Sequence, residues 1–240
     1  MHETGRFGSG GQELIGPRDW RARIEARLAK TRPRHAAEDW LTPGLSVEES
    51  RGLRAYLPVS PIPAAVLVPL VEREDDLTVL LTQRASQLKN HAGQISFPGG
   101  RIEPEDAGPS AAALREAHEE IGLEARFVSV VGYLADHILL SGFRVTPVVA
   151  FVRPGFELLL DSKEVDDTFE VPLMHVFAPE NHRSRRRTLG PSEREVQVWD
   201  IQYEGHNIWG ATAGMLLNLY RLCVTDDPAT IAELSGLRDE

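Results

Sequence analysis

The sequence predicts an α/β fold: a mixed sheet held between helices in an α/β/α sandwich, with an N-terminal helical extension. Three observations carry this. Residues 62–71 and 77–82 are apolar runs rich in β-branched residues around the acidic turn 72–76, and read as a strand pair. Residues 110–121 follow a Gly-rich turn and keep a helical pattern up to Gly122. Residues 194–203 set Val196, Val198 and Ile201 among polar neighbours, a strand pattern, before a strongly apolar helix at 208–222. Strands interleaved with helices bury sheet faces under helices, which is the layered arrangement of α/β domains.

The elements follow in order. Residues 1–17 are Gly-rich and polar and are expected to be loosely held. Their Gly-Ser-Gly-Gly is not a phosphate loop, because no strand precedes it and no Gly-Lys-Ser/Thr follows. Residues 19–30 place Trp20, Ile24 and Leu28 at four-residue spacing, an amphipathic helix with Asp19 as its N-cap. Residues 31–61 are broken by Pro33, Pro43, Pro58 and Pro61 and read as linker with one short helix at 47–55. The main domain is expected at 62–225, after an extension at 1–61 and before a tail at 226–240. Within it, 94–97 is a short strand entering the Pro98-Gly99-Gly100 turn, and Ser110 caps the helix with Pro109 just outside. Further strands are expected at 127–134 and 144–152, one more ending near Leu160, and a short helix or turn at 171–177.

Composition narrows the function. The 26 basic and 36 acidic residues leave a formal charge of −10, which argues against a nucleic-acid partner, since that needs a basic footprint. A local cluster of cations or a bound metal still admits an anionic small molecule. The single cysteine, Cys223, excludes an internal disulfide and a multi-cysteine metal site, fits a reducing cytoplasmic compartment, and reads as a buried apolar side chain. No secretory signal opens the chain. The longest apolar run, 62–71, is far short of the ~20 residues a membrane helix needs, so no membrane partner is expected.

The chemistry concentrates after Gly100. Glu116 and Glu120 are four apart and Glu116 and Glu119 three apart, spacings that put three carboxylates on one helical face. Like charges so placed repel unless a cation lies among them. Mg²⁺ is usually held by a few carboxylates together with substrate phosphates, so the segment reads as a metal cradle for phosphate chemistry. Other hydrolytic chemistries find no support. His118 lacks the second histidine a zinc-protease helix carries four residues on, and no Gly-x-Ser-x-Gly elbow occurs.

The same segment resembles the signature box of the Nudix hydrolases. Gly100 opens it, and Arg115-Glu116-Ala117-His118-Glu119-Glu120-Ile121-Gly122-Leu123 closes it in full. Two positions depart: Asp106 stands where the pattern has glutamate, and the gap from Asp106 to Arg115 is one residue longer. The preceding Leu80-Leu81-Thr82, Arg84, Ala85, Gly93 and Phe97-Pro98-Gly99-Gly100 resemble the motif of the coenzyme A pyrophosphatase branch, with Lys89 in place of an arginine. Lys89 keeps the charge there and loses the two-pronged donor.

The resemblance implies an α/β/α Nudix fold and a Mg²⁺- or Mn²⁺-dependent pyrophosphatase acting on coenzyme A or its thioesters. It implies Glu116, Glu120, Glu119 and the Gly100 carbonyl as metal ligands, and Arg115 as a brace for the glutamates. The general base is left between Glu119 and Glu164. Arg84, Lys89 and His91 are the expected substrate contacts. The basic run from His182 through Arg183, Arg185, Arg186 and Arg187 reads as a solvated loop. Another nucleoside diphosphate, such as ADP-ribose or a dinucleoside polyphosphate, is the alternative substrate. A non-hydrolytic ligand sensor is the alternative of a different class. Residues 1–61 are the candidate for a partner contact or a homodimer arm.

Overall fold

The computed structural model describes residues 17–33, 60–74, 76–88, 90–139, 141–189 and 194–235. The expected helix at 47–55 and the candidate substrate contact Lys89 lie outside these residues.

The central feature is an eight-stranded mixed sheet. Strands β1 (Ile62–Glu72) and β2 (Leu77–Arg84) form the expected hairpin, with Leu70 opposite Val79. β1 also runs parallel to β7 (Phe143–Val152), with Leu67 opposite Val148. On its far side β7 pairs with β5 (Val128–Tyr133) and with the short β6 (His137–Ile138). β3 (Ile95–Ser96) pairs with β2 and β4 (Gly99–Arg101) with β1, so the glycine turn is held against the middle of the sheet. β8 (Val165–Pro172) completes it along β2.

Alternation along β1 sends side chains to both faces, and each face is buried under helices. Ala65, Leu67 and Val71 join Ala112, Ala113, Ala117 and Ile121 of helix α2 (Pro109–Ile121). Ala64, Val68 and Leu70 join the core on the other face, beneath α1 (Pro17–Leu28) and α4 (Gly210–Val224), which supply Trp20, Ile24, Leu28, Leu216, Leu219 and Leu222. The result is the expected three-layered sandwich. α1 belongs to this body: Trp20 packs edge-on against Phe177 at 4.9 Å, and Arg27 donates to the Thr225 carbonyl at 2.6 Å.

Several expectations are corrected. α1 starts at Pro17, so Asp19 lies inside the first turn instead of capping it; proline is tolerated there because its missing N–H would have no helical partner. For the same reason α2 starts at Pro109, with Gly108 and not Ser110 at the cap position and no side-chain cap. Ile208 is not helical. It lies in β11 (His206–Trp209), opposite Ile201 of β10 (Arg194–Tyr203). The turn between them, Glu204-Gly205, has positive φ at both positions (45° and 86°), the backbone that tight hairpins favour. The basic run is a strand, β9 (Arg183–Leu189), paired with β10. No strand ends near Leu160. The segment 156–161 has no regular secondary structure and bonds to the end of α2, with Leu159 N–H to the Ile121 carbonyl and Asp161 N–H to that of Glu120. The stretch at 171–177 is the tail of β8 and a short helix α3 (Leu173–Val176). Beyond 225, expected as a tail, α5 (Pro228–Ser235) packs back on the domain, with the Ala135 N–H donating to the Leu234 carbonyl at 2.9 Å. Among the described residues no helix is long and apolar enough to cross a membrane.

Candidate active site

The site forms where α2 lies across β4. Small residues on the inner face of the helix, Ala112, Ala113 and Ala117, let it close on the sheet, and Gly99 and Gly100 remove the last side chains between them. The Gly99 N–H donates to Oε2 of Glu120 at 3.1 Å. A Cβ at Gly99 would stand 2.4 Å from the Ala65 carbonyl oxygen. One at Gly100 would stand 2.5 Å from the Glu116 carboxylate. Glycine is required at both positions because backbone and carboxylates occupy that space. At the other end Gly122 leaves the helix in the left-handed conformation (φ 71°).

The three glutamates differ in environment. Glu120 is buried at 4% exposure, Glu116 lies in the cleft wall, and the Glu119 side chain is 56% exposed. Arg115 ties two of them together. NH1 donates to Glu116 Oε1 at 2.9 Å and Glu119 Oε2 at 3.0 Å. NH2 donates to Asp106 Oδ2 at 2.9 Å and the Arg101 carbonyl at 3.0 Å, and Nε to Asp106 Oδ1 at 3.1 Å. An arginine has five N–H donors, and these contacts match all of them.

Burial sets the electrostatics. It pushes the Glu120 carboxyl up to about 8, against the Gly99 hydrogen bond and the charge of Arg84, with Glu116 and Glu164 adding to the rise. Burial also raises Glu116, opposed by Arg115. Asp106 moves the other way, held down by its hydrogen bonds from Arg115. With its carboxyls ionised the site sets two arginines, Arg84 and Arg115, against Asp106, Glu116, Glu119 and Glu120.

Among the described residues Arg84 is the cation paired with Glu120, with NH1 3.9 Å from Oε1, too long for a hydrogen bond. Its Nε is buried and has no hydrogen-bond partner among the described residues. His91 is exposed, with positive φ (59°) and Nδ1 2.9 Å from Gln94 Oε1. Glu164 sits in the turn just before β8, not after a strand. Its carbonyl accepts the Ala85 N–H at 2.8 Å, and Asp166 takes the Ser86 N–H at 2.8 Å. These bonds fasten the loop after Arg84 to the turn that carries Glu164. The structure thus brings Gly100, Arg115, Glu116, Glu120 and Arg84 together, with Glu164 close enough for its charge to act on Glu116 and Glu120. Glu119 faces outward. Sequence reasoning missed the Gly99 amide as the partner of Glu120; the paired glycines ahead of an acidic helix were the available signal.

The donor set suits a hard divalent cation in one specific way. Among the described residues no three His, Cys, Asp or Glu side chains form a ready cage. One buried and one partly buried carboxylate against a glycine backbone match the way Mg²⁺ is held by one or two carboxylates with substrate phosphates completing the shell.

The fold and this cleft define the class. The NUDIX domain family matches residues 61–192, and the chain belongs to that family. It is a Nudix hydrolase. It is 40% identical over 158 residues to the uncharacterized Nudix hydrolase NudL of Enterobacter sp. (strain 638), covering 65% of this chain and 80% of that protein. The NudL of Citrobacter koseri is 41% identical over 157 residues, with the same coverage. Among solved structures, a Nudix hydrolase from M. smegmatis, RenU, is similar with a TM-score of 0.42 and 24% identity, covering 49% of this chain and 74% of that one.

Proposed function

We propose that the chain cleaves the diphosphate of coenzyme A or its thioesters, using Mg²⁺ or Mn²⁺, to give 3′,5′-ADP and 4′-phosphopantetheine or its acylated form. The observation that carries this reading is the buried carboxylate of Glu120 beside the partly buried Glu116, both near an arginine, Arg84, whose Nε has no hydrogen-bond partner among the described residues. The choice of coenzyme A rests on the motif from Leu80 to Gly100 that contains Arg84.

In this reading Glu116, Glu120 and the Gly100 carbonyl hold the ion, with Glu119 at the edge of the cluster. The bound ion supplies Lewis acidity toward phosphate oxygens and lowers the pKa of the attacking water. Arg84 takes a phosphate oxygen pair with its fork and steadies the charge that grows there. His91, on the exposed loop, meets the outer part of the substrate. Glu164 removes the proton from water; Glu119 is the weaker candidate because Arg115 already holds its carboxylate. One water oxygen bonds to phosphorus, the bridging P–O bond breaks, and two phosphate monoesters leave.

Incubation of the protein with coenzyme A and Mn²⁺, followed by mass spectrometry, tests the reading. The expected products are 3′,5′-ADP and 4′-phosphopantetheine. Dephospho-coenzyme A, ADP-ribose and NADH belong in the same panel. Faster turnover of ADP-ribose than of coenzyme A overturns the substrate assignment. Binding of coenzyme A, seen as a melting shift, with no product after prolonged incubation overturns hydrolysis.

A further inference from the structure

We infer that Arg144 is a second anion contact of the same site, placed to take a phosphate monoester that the substrate carries apart from its diphosphate. The inference rests on the reading that the glycine strand and Glu116 receive the diphosphate. In coenzyme A the group of that class is the 3′-phosphate.

Strand register puts Arg144 on the sheet face that carries the carboxylates. Gly100 stands opposite Ala65 of β1, and Ala65 stands beside Thr146 of β7. Directly opposed residues point the same way, and every second residue of a strand returns to one face. Ala65 and Val148 belong to the core under α2, whereas Val145 and Val149 belong to the core on the other face. Thr146 and Arg144 therefore share the α2 face with Gly100, against which Glu116 is set. Two strand spacings across and one side-chain repeat along put about 12 Å between the Cα atoms of Gly100 and Arg144. A long side chain and a nucleotide can close that gap between them. This end of the sheet is open: Pro63, the neighbour of Arg144 on β1, is exposed.

The arginine is aligned from behind. Thr146 donates its hydroxyl to Oδ1 of Asp136 at 2.8 Å, and Oδ2 lies 3.4 Å from Nε of Arg144. Both side chains are largely buried, at 19% exposure for Arg144 and 10% for Asp136. The Nε contact is longer than a hydrogen bond, so the carboxylate steers the guanidinium by charge. Among the described residues no hydrogen bond uses NH1 or NH2 of Arg144. A guanidinium steered at one edge with those two nitrogens unspent is suited to the paired oxygens of a phosphate. A chain with a formal charge of −10 needs such a local cation to keep a second anionic group beside its carboxylates.

The competing use of Arg144 is purely structural, an ion pair that pins the turn before β6 to β7. Nucleotide affinities separate the two. Titration calorimetry of the full chain with 3′,5′-ADP and with AMP, in Mg²⁺, provides the test. The wild type is expected to bind 3′,5′-ADP about tenfold more tightly than AMP, the scale of one hydrogen-bonded contact to a charged group. Arg144→Met keeps the apolar stem and is expected to erase that preference, and Arg144→Lys to keep part of it. No preference in the wild type, no binding of either nucleotide, or a preference unchanged in Arg144→Met overturns the inference. Should Arg144→Met fail to fold, crystals of the wild type with 3′,5′-ADP decide. A 3′-phosphate within hydrogen-bond distance of Arg144 supports the contact, and one bound elsewhere overturns it. A chain that leaves coenzyme A uncleaved overturns the proposed reaction, and the same two nucleotides still decide the subsite.

Discussion

The backbone amide of Gly99 and the carboxylate of Glu120, 21 residues apart in the chain, meet in a 3.1 Å hydrogen bond. That bond joins the glycine strand to helix α2 and leaves a carboxylate 4% exposed beside Glu116, with the Arg84 guanidinium 3.9 Å away. The cost of burying a charge so placed is offset when a cation shares it, which is the physical basis of the proposed divalent-ion site.

Gly100→Ala tests how closely the helix must approach. The new methyl would stand 2.5 Å from the Glu116 carboxylate, and the side chain must swing away. Activity with saturating Mn²⁺ is expected to fall at least ~30-fold, about 2 kcal/mol of transition-state stabilisation. Circular dichroism should show an intact fold. Undiminished turnover would show that Glu116 need not lie against that backbone.

The raised pKa of Glu120 makes a signed prediction for the metal-free protein. In the folded state the carboxyl titrates near 8, and in the unfolded chain near the ordinary value of about 4.3. Between these values the folded state holds more protons, so this group favours folding as pH falls and opposes it as pH rises. Above pH 8 the penalty is on the order of 5 kcal/mol. Glu120→Gln is therefore expected to be more stable than wild type at pH 9 by urea denaturation, with the advantage shrinking toward pH 5. The same variant should lose a hundredfold or more in turnover. Equal stability of the two proteins at pH 9 would contradict the burial account.

His137 has the opposite sign. Burial lowers its imidazole to about 4, and the Asn218 side-chain amide donates to Nε2 at 3.0 Å, so that nitrogen is an unprotonated acceptor. Below the unfolded value of about 6.5 the unfolded chain takes up the proton first, so stability is lost as pH falls from 6.5 to 4. The loss at pH 4 is about 3 kcal/mol. Between pH 6.5 and 4.5 it runs against the Glu120 effect, so the measurement is the wild-type profile minus that of His137→Gln. A difference that stays flat across this range would contradict the assignment.

What the sequence made legible, and what it did not, divides along local and non-local lines. Trp20, Ile24 and Leu28 at helical spacing and the hairpin at 62–82 are set by neighbours in the chain, and both appear in the structure. The box residues are legible because they stand inside the full Arg115–Leu123 pattern; carboxylates at three- and four-residue spacing alone read as a solvated helix face. The parallel pairing of β1 with β7 depends on partners some 80 residues apart, and no local pattern specifies it. Ile208 looked helical because apolar residues run unbroken into α4; the hairpin turn at Glu204-Gly205, which makes it a strand residue, requires a left-handed glutamate that composition does not announce. The Leu158–Leu160 run looked like a strand because it is apolar, yet its backbone is satisfied by the last carbonyls of a helix.

Arg84 tests substrate contact. Its buried Nε has no hydrogen-bond partner among the described residues, and the proposed role of the fork is to take phosphate in two prongs. Arg84→Lys keeps the charge and removes the fork. Steady-state kinetics with coenzyme A are expected to show KM raised about tenfold or more in Arg84→Lys and further in Arg84→Ala, with Mn²⁺ affinity in the absence of substrate close to wild type. Wild-type KM in the lysine variant would assign the phosphate contact elsewhere.

The central claim is that Glu116 and Glu120 hold a divalent ion against the glycine strand. Anomalous diffraction from crystals soaked in MnCl₂ addresses it directly. The account predicts an anomalous peak within bonding distance of both carboxylates and the Gly100 carbonyl. A fully ordered cleft with no peak there, and Glu120 still bonded only to the Gly99 amide, would contradict it.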